Sequence, residues 1–148
     1  MRNVHVIADA PVDVHTAFAA ITRFQDFGNY ADVIERVTVD GEAPNRTSSW
    51  TVNFRQGKLC WTEQDIVAAE LRTIEYSLLD GDFEVFEGSW TIAAVGQIAR
   101  ITFTCSFDFG IPSMQRMLEP IAGRTLTSCI EAIITGALSG ARIVDYQS

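Results

Sequence analysis

The stretch ITFTCSFDFGIP, residues 101–112, contains both patterns that decide the fold. Apolar and polar residues alternate from Ile101 to Phe107, which places every second side chain on one face of a β-strand. The alternation stops at Gly110-Ile111-Pro112, and a long segment with helical periodicity follows, opened by a proline that the first turn of a helix tolerates. The sequence therefore predicts a sheet that ends here and a long helix that covers it.

The same alternation recurs in the segments between residues 33 and 109. Turn-forming pairs such as Asp40-Gly41 and Asp80-Gly81 separate these runs, which predicts six strands joined as an antiparallel meander. Residues 4–7 add a first strand, and residues 10–30 predict two short helices before the meander. We therefore expect an α+β fold in which a seven-stranded antiparallel sheet curves around a long C-terminal helix.

Length and charge narrow the class of protein. The chain has 148 residues and a net charge of -8, so we expect one domain over residues 1–148 and no binding to nucleic acid. No apolar run reaches the roughly 18 residues of a membrane span, and the N-terminus lacks the apolar segment of a signal peptide. We expect a cytoplasmic protein whose three cysteines are core residues.

The predicted sheet leaves a question about its interior. One helix is only about 10–12 Å across, so a wide curved sheet either closes tightly on it or encloses a cavity. The inward positions are rich in aromatic residues, which suits an apolar ligand pocket but suits a filled core equally well. The candidate lining residues are Trp50, Phe54, Trp61, Phe86, Trp90, Phe103 and Cys105 on the strands and Met114, Leu118, Ile121, Arg124 and Thr125 on the helix.

One strand carries two acidic residues on its inward face. In residues 59–65 the side chains of Trp61, Glu63 and Asp65 share one face, so both carboxyls point inward if Trp61 lines the cavity. A carboxyl group in a dry pocket can act as general acid or base, because desolvation moves its pKa toward neutrality. Glu63 is the first candidate for that role and Asp65 lies beside it; the alternative is that both sit in solvent or in a surface ion pair.

Other side chains could assist Glu63. Glu84 has the same parity as Phe86, so it could supply a second inward carboxyl, or it could be solvated at the strand end. Tyr76 could donate a hydrogen bond to a ligand carbonyl or serve as an ordinary core tyrosine. Arg124 could pair with Glu63 or hold an enolate, or lie on a solvated flank of the helix.

No metal ion or cofactor is expected. The two histidines lie near the N-terminus, the cysteines are scattered, and no GxGxxG motif follows a strand.

Residues 81–90, GDFEVFEGSW, resemble a motif of the polyketide cyclase/aromatase and coenzyme-Q-binding branch of the helix-grip (START/Bet v 1-like, SRPBCC) superfamily. The stretch 107–112 and the segments 10–21 and 24–30 are similar to the same branch, so that the resemblance extends over the whole chain. It implies a helix-grip fold with a deep hydrophobic cavity under the C-terminal helix.

The resemblance implies two main functions. Aromatase/cyclases of this branch fold a linear poly-β-ketone and promote its regiospecific aldol cyclisation and dehydration, which is the leading expectation. The alternative is a non-enzymatic carrier of a quinone, lipid or other hydrophobic small molecule. A ribosome-associated role, known for a third class, fits the net charge of -8 poorly. The expected partners are a polyketide-like substrate, a polyketide synthase or its acyl carrier protein, and a second copy in a homodimer.

The sequence lacks the catalytic residues of the families that it resembles. Known aromatase/cyclases of this type carry an inward arginine on the strand that here contains Trp61, Glu63 and Asp65, and an acidic residue takes its place. Another branch uses a cavity histidine on the strand that begins near Asp82, where no histidine occurs. The fold expected from the resemblance is unaffected, but the acid and base must be other residues.

Overall fold

The computed structural model describes the backbone of residues 1–148 and every side chain except those of residues 114 and 115. Strand β1 (Arg2–Ala10) is followed by helix α1 (Val14–Ile21) and a 3₁₀ helix (Phe24–Asn29). The meander then contains β2 (Ile34–Glu42), β3 (Asn45–Phe54), β4 (Gly57–Ala68), β5 (Thr73–Gly81), β6 (Val85–Val95) and β7 (Ile98–Asp108). Helix α2 (Pro112–Ala137) and strand β8 (Arg142–Gln147) complete the chain.

The strands form one antiparallel sheet in the order β2-β3-β4-β5-β6-β7-β1-β8. The predicted α+β architecture, with two short helices after the first strand and a long C-terminal helix, is confirmed. The predicted count of seven strands is wrong, because β8 adds an eighth at the edge beside β1. Most residues of β8 are exposed, so no alternation of buried apolar side chains marks it in the sequence.

Alternation along the strands reflects burial on the concave face of the sheet. In β4, the inward side chains of Trp61, Glu63, Asp65 and Val67 are buried, whereas their neighbours are more exposed. The register places Trp50 of β3 opposite Trp61, and the inward positions 48 and 46 opposite 63 and 65. Inward side chains from β3 and β4 therefore stand side by side over the length of the pair.

The segment between β1 and β2 closes one end of the concave face. Helix α1 begins after Asp13, whose side chain accepts a hydrogen bond from the Thr16 N–H as an N-cap. In the 3₁₀ helix, Phe24 and Phe27 are fully buried, and both rings contact Trp50 and Trp90 of the sheet. This contact fixes the helices against the aromatic residues that line the space under α2.

Helix α2 covers the rest of the concave face. Ala122, Cys129, Ile130, Ile133 and Ile134 are buried at helical spacing, so a continuous apolar stripe faces the sheet. Among the described residues, no helix is both long enough and apolar enough to cross a bilayer. The sheet and α2 enclose a space between them, and the candidate site lies there.

Candidate ligand cavity and its buried carboxyl pair

An apolar cavity, the inner cavity, lies between the sheet and α2. Its volume is about 50 Å³, well below the roughly 300–1,000 Å³ of sites that hold drug-sized ligands. The strands contribute Trp50, Val52, Phe54, Leu59, Trp61, Glu63, Tyr76, Phe83, Phe86, Trp90, Phe103 and Phe107 to its wall, and α2 contributes Ala122, Thr125, Leu126, Cys129 and Ile130. The structure thus lies between an open cavity and a filled core: the aromatic residues fill most of the space, and a small cavity is left.

The wall of the inner cavity is a continuous set of aromatic contacts. Trp50 and Trp61 stack with ring centroids 5.5 Å apart and an interplanar angle of 9°. Trp61 also contacts Phe86 at 4.7 Å, and Trp90 meets Phe103 edge-on at 4.8 Å. Each ring is therefore packed against others, and a ligand in this cavity would meet mostly aromatic faces and edges.

The structure brings many of the predicted site residues together at this cavity. The predicted residues in its wall are Trp50, Phe54, Trp61, Glu63, Tyr76, Phe86, Trp90, Phe103 and Thr125. Asp65 and Cys105 are buried but do not reach the wall, and Leu118 and Ile121 pack partly buried against the core outside it. Met114 lies outside the described side chains.

Neither Glu84 nor Arg124 reaches the inner cavity, so for both residues the alternative of an exposed side chain holds. Glu84 is exposed and packs against Gly110, because β6 begins only at Val85 and the alternation breaks between Phe83 and Phe86, which both point inward. Arg124 is exposed on α2, lines a separate cleft and does not pair with Glu63. The inner cavity therefore receives neither a second carboxyl from β6 nor a cation from α2.

The structure confirms the predicted inward direction of Glu63 and Asp65. Glu63 is 2% exposed, and its Oε1 accepts a hydrogen bond of 2.9 Å from the indole Nε1 of Trp61. Burial, together with the neighbouring Asp65 carboxyl, raises the pKa of Glu63 well above its ordinary value. Glu63 thus holds its proton to a higher pH than an ordinary glutamate, in the wall of the inner cavity.

Asp65 lies behind Glu63 and has its own partners. It is fully buried, and its Oδ2 accepts a hydrogen bond of 2.7 Å from Ser48 Oγ, which in turn accepts one of 3.0 Å from Trp50 Nε1. Arg46 Nε is 3.7 Å from the same Oδ2. Asp65 therefore has a cation and a hydroxyl donor beside its Oδ2.

Arg46 is an unusual neighbour for a cavity. Its side chain is 10% exposed, and its guanidinium lies 4.6 Å from the centre of the Phe24 ring. Within the described part of the chain, its Nε and Nη2 and the Asp65 Oδ1 are buried without a hydrogen-bond partner. A proton on Glu63 gives Asp65 a hydrogen-bond donor, and this interaction is one of the causes that raise the pKa of Glu63.

Sequence reasoning missed both Arg46 and Ser48. The signal was present, since residues 46, 48 and 50 have the same parity and Trp50 was assigned to the inward face. The inward face of β4 thus carries an acidic pair, and an inward arginine stands opposite it on neighbouring β3.

Tyr76 lines the inner cavity with its hydroxyl already engaged. That hydroxyl donates a hydrogen bond of 2.5 Å to the carbonyl oxygen of Thr104, across Gly88 on the intervening strand. Burial raises the pKa of Tyr76 well above its ordinary value. Its proton is committed to the backbone, so Tyr76 offers a ligand its ring face and an acceptor oxygen rather than a donor.

Residues 10–134 match the sequence profile of the family described as polyketide cyclase / dehydrase and lipid transport. The chain belongs to this family. No curated protein sequence matches the chain significantly. Among the described residues, no group of three or more His, Cys, Asp and Glu side chains is arranged to hold a metal ion.

Solved structures confirm the helix-grip fold of this polyketide cyclase / dehydrase family member. The chain is similar to the protein TTHA0849 of Thermus thermophilus, with a TM-score of 0.83 and 19% identity over 92% of this chain and 94% of that one. It is also similar to the ZhuI aromatase/cyclase of Streptomyces sp. R1128, with a TM-score of 0.81 and 14% identity over 92% and 93% of the two chains. A START superfamily protein of Mycobacterium smegmatis matches with a TM-score of 0.77 and 15% identity, over 93% and 97%.

Proposed function

We propose that this chain is a cofactor-independent polyketide cyclase that binds a ketone-bearing apolar chain and promotes its aldol cyclisation and dehydration. Glu63 is the general acid. The observation that carries the proposal is the buried carboxyl of Glu63 in an otherwise apolar aromatic wall, with the buried Asp65 on the same face of β4. A family that includes polyketide cyclases and dehydrases supports the same interpretation.

Glu63 can give and take back every proton that the aldol reaction and the dehydration move. The substrate reacts as its enol: the enol carbon attacks a ketone carbon, and Glu63 gives its proton to the ketone oxygen as the new C–C bond forms. The enol O–H proton then passes to the Glu63 carboxylate, which restores the acid. In dehydration, Glu63 protonates the new hydroxyl, which leaves as water, and the proton of the adjacent carbon returns to Glu63.

Asp65 and Arg46 act behind Glu63 in this scheme. When Glu63 gives up its proton, two carboxylates face each other in a buried site, which is unfavourable and drives the return of the proton. Arg46, 3.7 Å from Asp65, places a positive charge beside the pair while Glu63 is without its proton. The aromatic wall orients the folded chain, and orientation is itself a large part of the rate in such reactions.

The inner cavity must widen to hold a polyketide. At about 50 Å³ it has room for only a few atoms, so binding requires α2 or the aromatic side chains to move. The first half of α2 offers a natural site for such movement: Pro120 lies inside the helix, where proline removes one backbone hydrogen bond.

The test is a product profile. Expression beside a minimal polyketide synthase should convert mixed shunt products into one cyclised product, and Glu63→Gln should abolish that change while binding persists. Glu75→Gln, an exposed glutamate on neighbouring β5, is the matched control and should behave as the wild type. A wild-type profile equal to that of the synthase alone contradicts the cyclase, and a cyclised product from Glu63→Gln contradicts the role of Glu63.

A carrier of a quinone, lipid or similar apolar molecule is the second candidate, and one observation favours it. Besides Glu63, the described wall holds only Tyr76 and Cys129 as titratable groups, and burial raises the pKa of both, that of Cys129 to about 12. A carrier needs only one hydrogen-bond donor for a carbonyl, which Glu63 supplies. The carrier predicts ligand binding that is weakened by Glu63→Ala, with no turnover in the wild type.

A further inference from the structure

A second concave site, the outer cleft, lies beside α2. It is formed by residues 31–33, which follow the 3₁₀ helix, and by one flank of α2. Its volume is about 320 Å³, within the roughly 300–1,000 Å³ of sites that hold small molecules. The charged and polar side chains in its wall are Asp32, Arg124, Thr125 and Ser128.

The outer cleft adjoins the inner cavity. Thr125 and Cys129, four residues apart on α2, belong to the walls of both. Residues at this spacing lie one above the other on a helix face, so a single stripe of α2 separates the two spaces. A ligand longer than the inner cavity can therefore extend past this stripe into the outer cleft.

The polar groups of the outer cleft have no partners within the described part of the chain. Arg124 and Ser128 on α2 and Asp32 on the opposite wall make neither an ion pair nor a side-chain hydrogen bond there. The cleft thus presents a donor, an acceptor and a hydroxyl across a space large enough for part of a ligand.

We propose that the outer cleft binds the polar part of an elongated ligand whose apolar, ketone-bearing end occupies the inner cavity. Because charges of both signs face the cleft, the fitting group is neutral and both donates and accepts hydrogen bonds. An amide satisfies this, since its N–H can donate to Asp32 while its carbonyl accepts from Arg124. This inference rests on the proposed function, because it assigns the remainder of the same ligand.

The experiment compares three synthetic probes by quenching of tryptophan fluorescence, since all three tryptophans line the inner cavity. The short probe is 4-phenylbutan-2-one. The two long probes are phenyl ketones with chains of equal length, one ending in an acetamide and the other in an alkyl group. Variants Arg124→Gln and Asp32→Asn are compared with Arg116→Gln, an exposed arginine of α2 outside the cleft.

We expect the wild type to bind the amide probe about fivefold more tightly than the alkyl probe, as one net hydrogen bond would give. Arg124→Gln and Asp32→Asn should remove most of that preference, and Arg116→Gln should keep it. Equal binding of the two long probes by the wild type overturns the inference, as does a preference that survives both cleft substitutions. Failure of the short probe to bind instead counts against the inner cavity and the proposed function.

Discussion

At the scale of single residues, the buried carboxyl pair carries a large free-energy cost of desolvation. Two acidic side chains on one strand face, Glu63 at 2% and Asp65 at 0% exposure, would cost several kcal/mol if both were charged and unpaired. A shared proton, the Ser48 hydroxyl and the Trp61 indole reduce that cost. Such an arrangement is typical of a site where a proton is held ready for transfer.

The pH dependence of stability should reveal the proton on Glu63. Its pKa is raised in the folded chain, so between the ordinary value of 4.5 and the folded value the native state keeps a proton that the unfolded state releases. This contribution to stability is complete below pH 4.5 and is lost as pH rises, by up to about 1.4 kcal/mol per pH unit. Glu63→Gln, which mimics the protonated acid, should lack this loss.

Urea unfolding at pH 5 and pH 8 measures the effect. The free energy of unfolding of Glu63→Gln relative to the wild type should increase from the lower to the higher pH. The exposed Glu75→Gln should follow the wild type at both values. Parallel profiles for the wild type and Glu63→Gln would show that Glu63 is not protonated in the folded chain.

Ser48→Ala should destabilise the chain by about 1–3 kcal/mol, because it removes the donor to Asp65 and the acceptor for Trp50 Nε1 in a buried place. Ser49→Ala is the matched control: Ser49 hydrogen-bonds Thr62 on the exposed face, so its removal should cost less than about 0.5 kcal/mol. The measurement is the urea midpoint of each variant. Equal losses for the two serines would argue against the buried hydrogen bonds of Ser48 to Asp65 and Trp50.

At the scale of elements, β5, β6 and β7 are held in register by a close approach at Gly88. A Cβ on this residue would lie 1.9 Å from the Thr104 carbonyl oxygen and 2.5 Å from the Tyr76 hydroxyl. The glycine therefore leaves room for the hydrogen bond that Tyr76 makes across β6 to β7. It ties the cavity wall to the backbone of the sheet.

Gly88→Ala should disrupt that crossing and destabilise the fold by at least about 3 kcal/mol, as overpacking against backbone cannot be relieved by a rotamer change. Gly57→Ala, at a turn where the nearest atom to an added Cβ is 4.0 Å away, should fold normally. Circular dichroism during thermal unfolding compares the two variants. A Gly88→Ala midpoint close to that of Gly57→Ala would contradict the packing described for Tyr76.

At the scale of the whole molecule, the fold is a sheet and one helix around an interior that is almost filled. Every tryptophan of the chain lines that interior, and the helices after β1 close one end through Phe24 and Phe27. A ligand therefore enters at the cost of existing contacts. Binding should therefore change the free energy of unfolding of the whole chain, as well as the surroundings of single side chains.

A bound phenyl ketone should stabilise the folded chain by about 2.7 kcal/mol at 100 times its Kd, because it binds only the folded state. The probe is 4-phenylbutan-2-one, and the measurements are tryptophan quenching for Kd and urea unfolding with and without the ketone. Glu63→Ala should need more ketone for the same stabilisation. Quenching without any increase in the free energy of unfolding would place the ketone on the surface instead of in the inner cavity.

Much of the fold was predictable because its signal is local. Alternation with period two identified six strands of the meander, and it placed Trp61, Glu63 and Asp65 on one face of β4. A bulge could have reversed that face. The irregularity in the β4–β5 pair falls at Leu79 of β5, so the parity of β4 is preserved. Strand β8 was not predicted because most of its side chains are exposed, so that its sequence shows no apolar alternation.

Side-chain periodicity along single elements was enough to predict the curved sheet with its covering helix, the aromatic inward face and the inward carboxyls. What surrounds them became known from the folded chain: Arg46 and Ser48 stand beside Asp65, Glu84 is exposed against Gly110, and the cavity holds about 50 Å³. The physical reason is that register between strands and packing between elements depend on distant residues. The pKa of a buried acid depends in turn on which of those residues it meets.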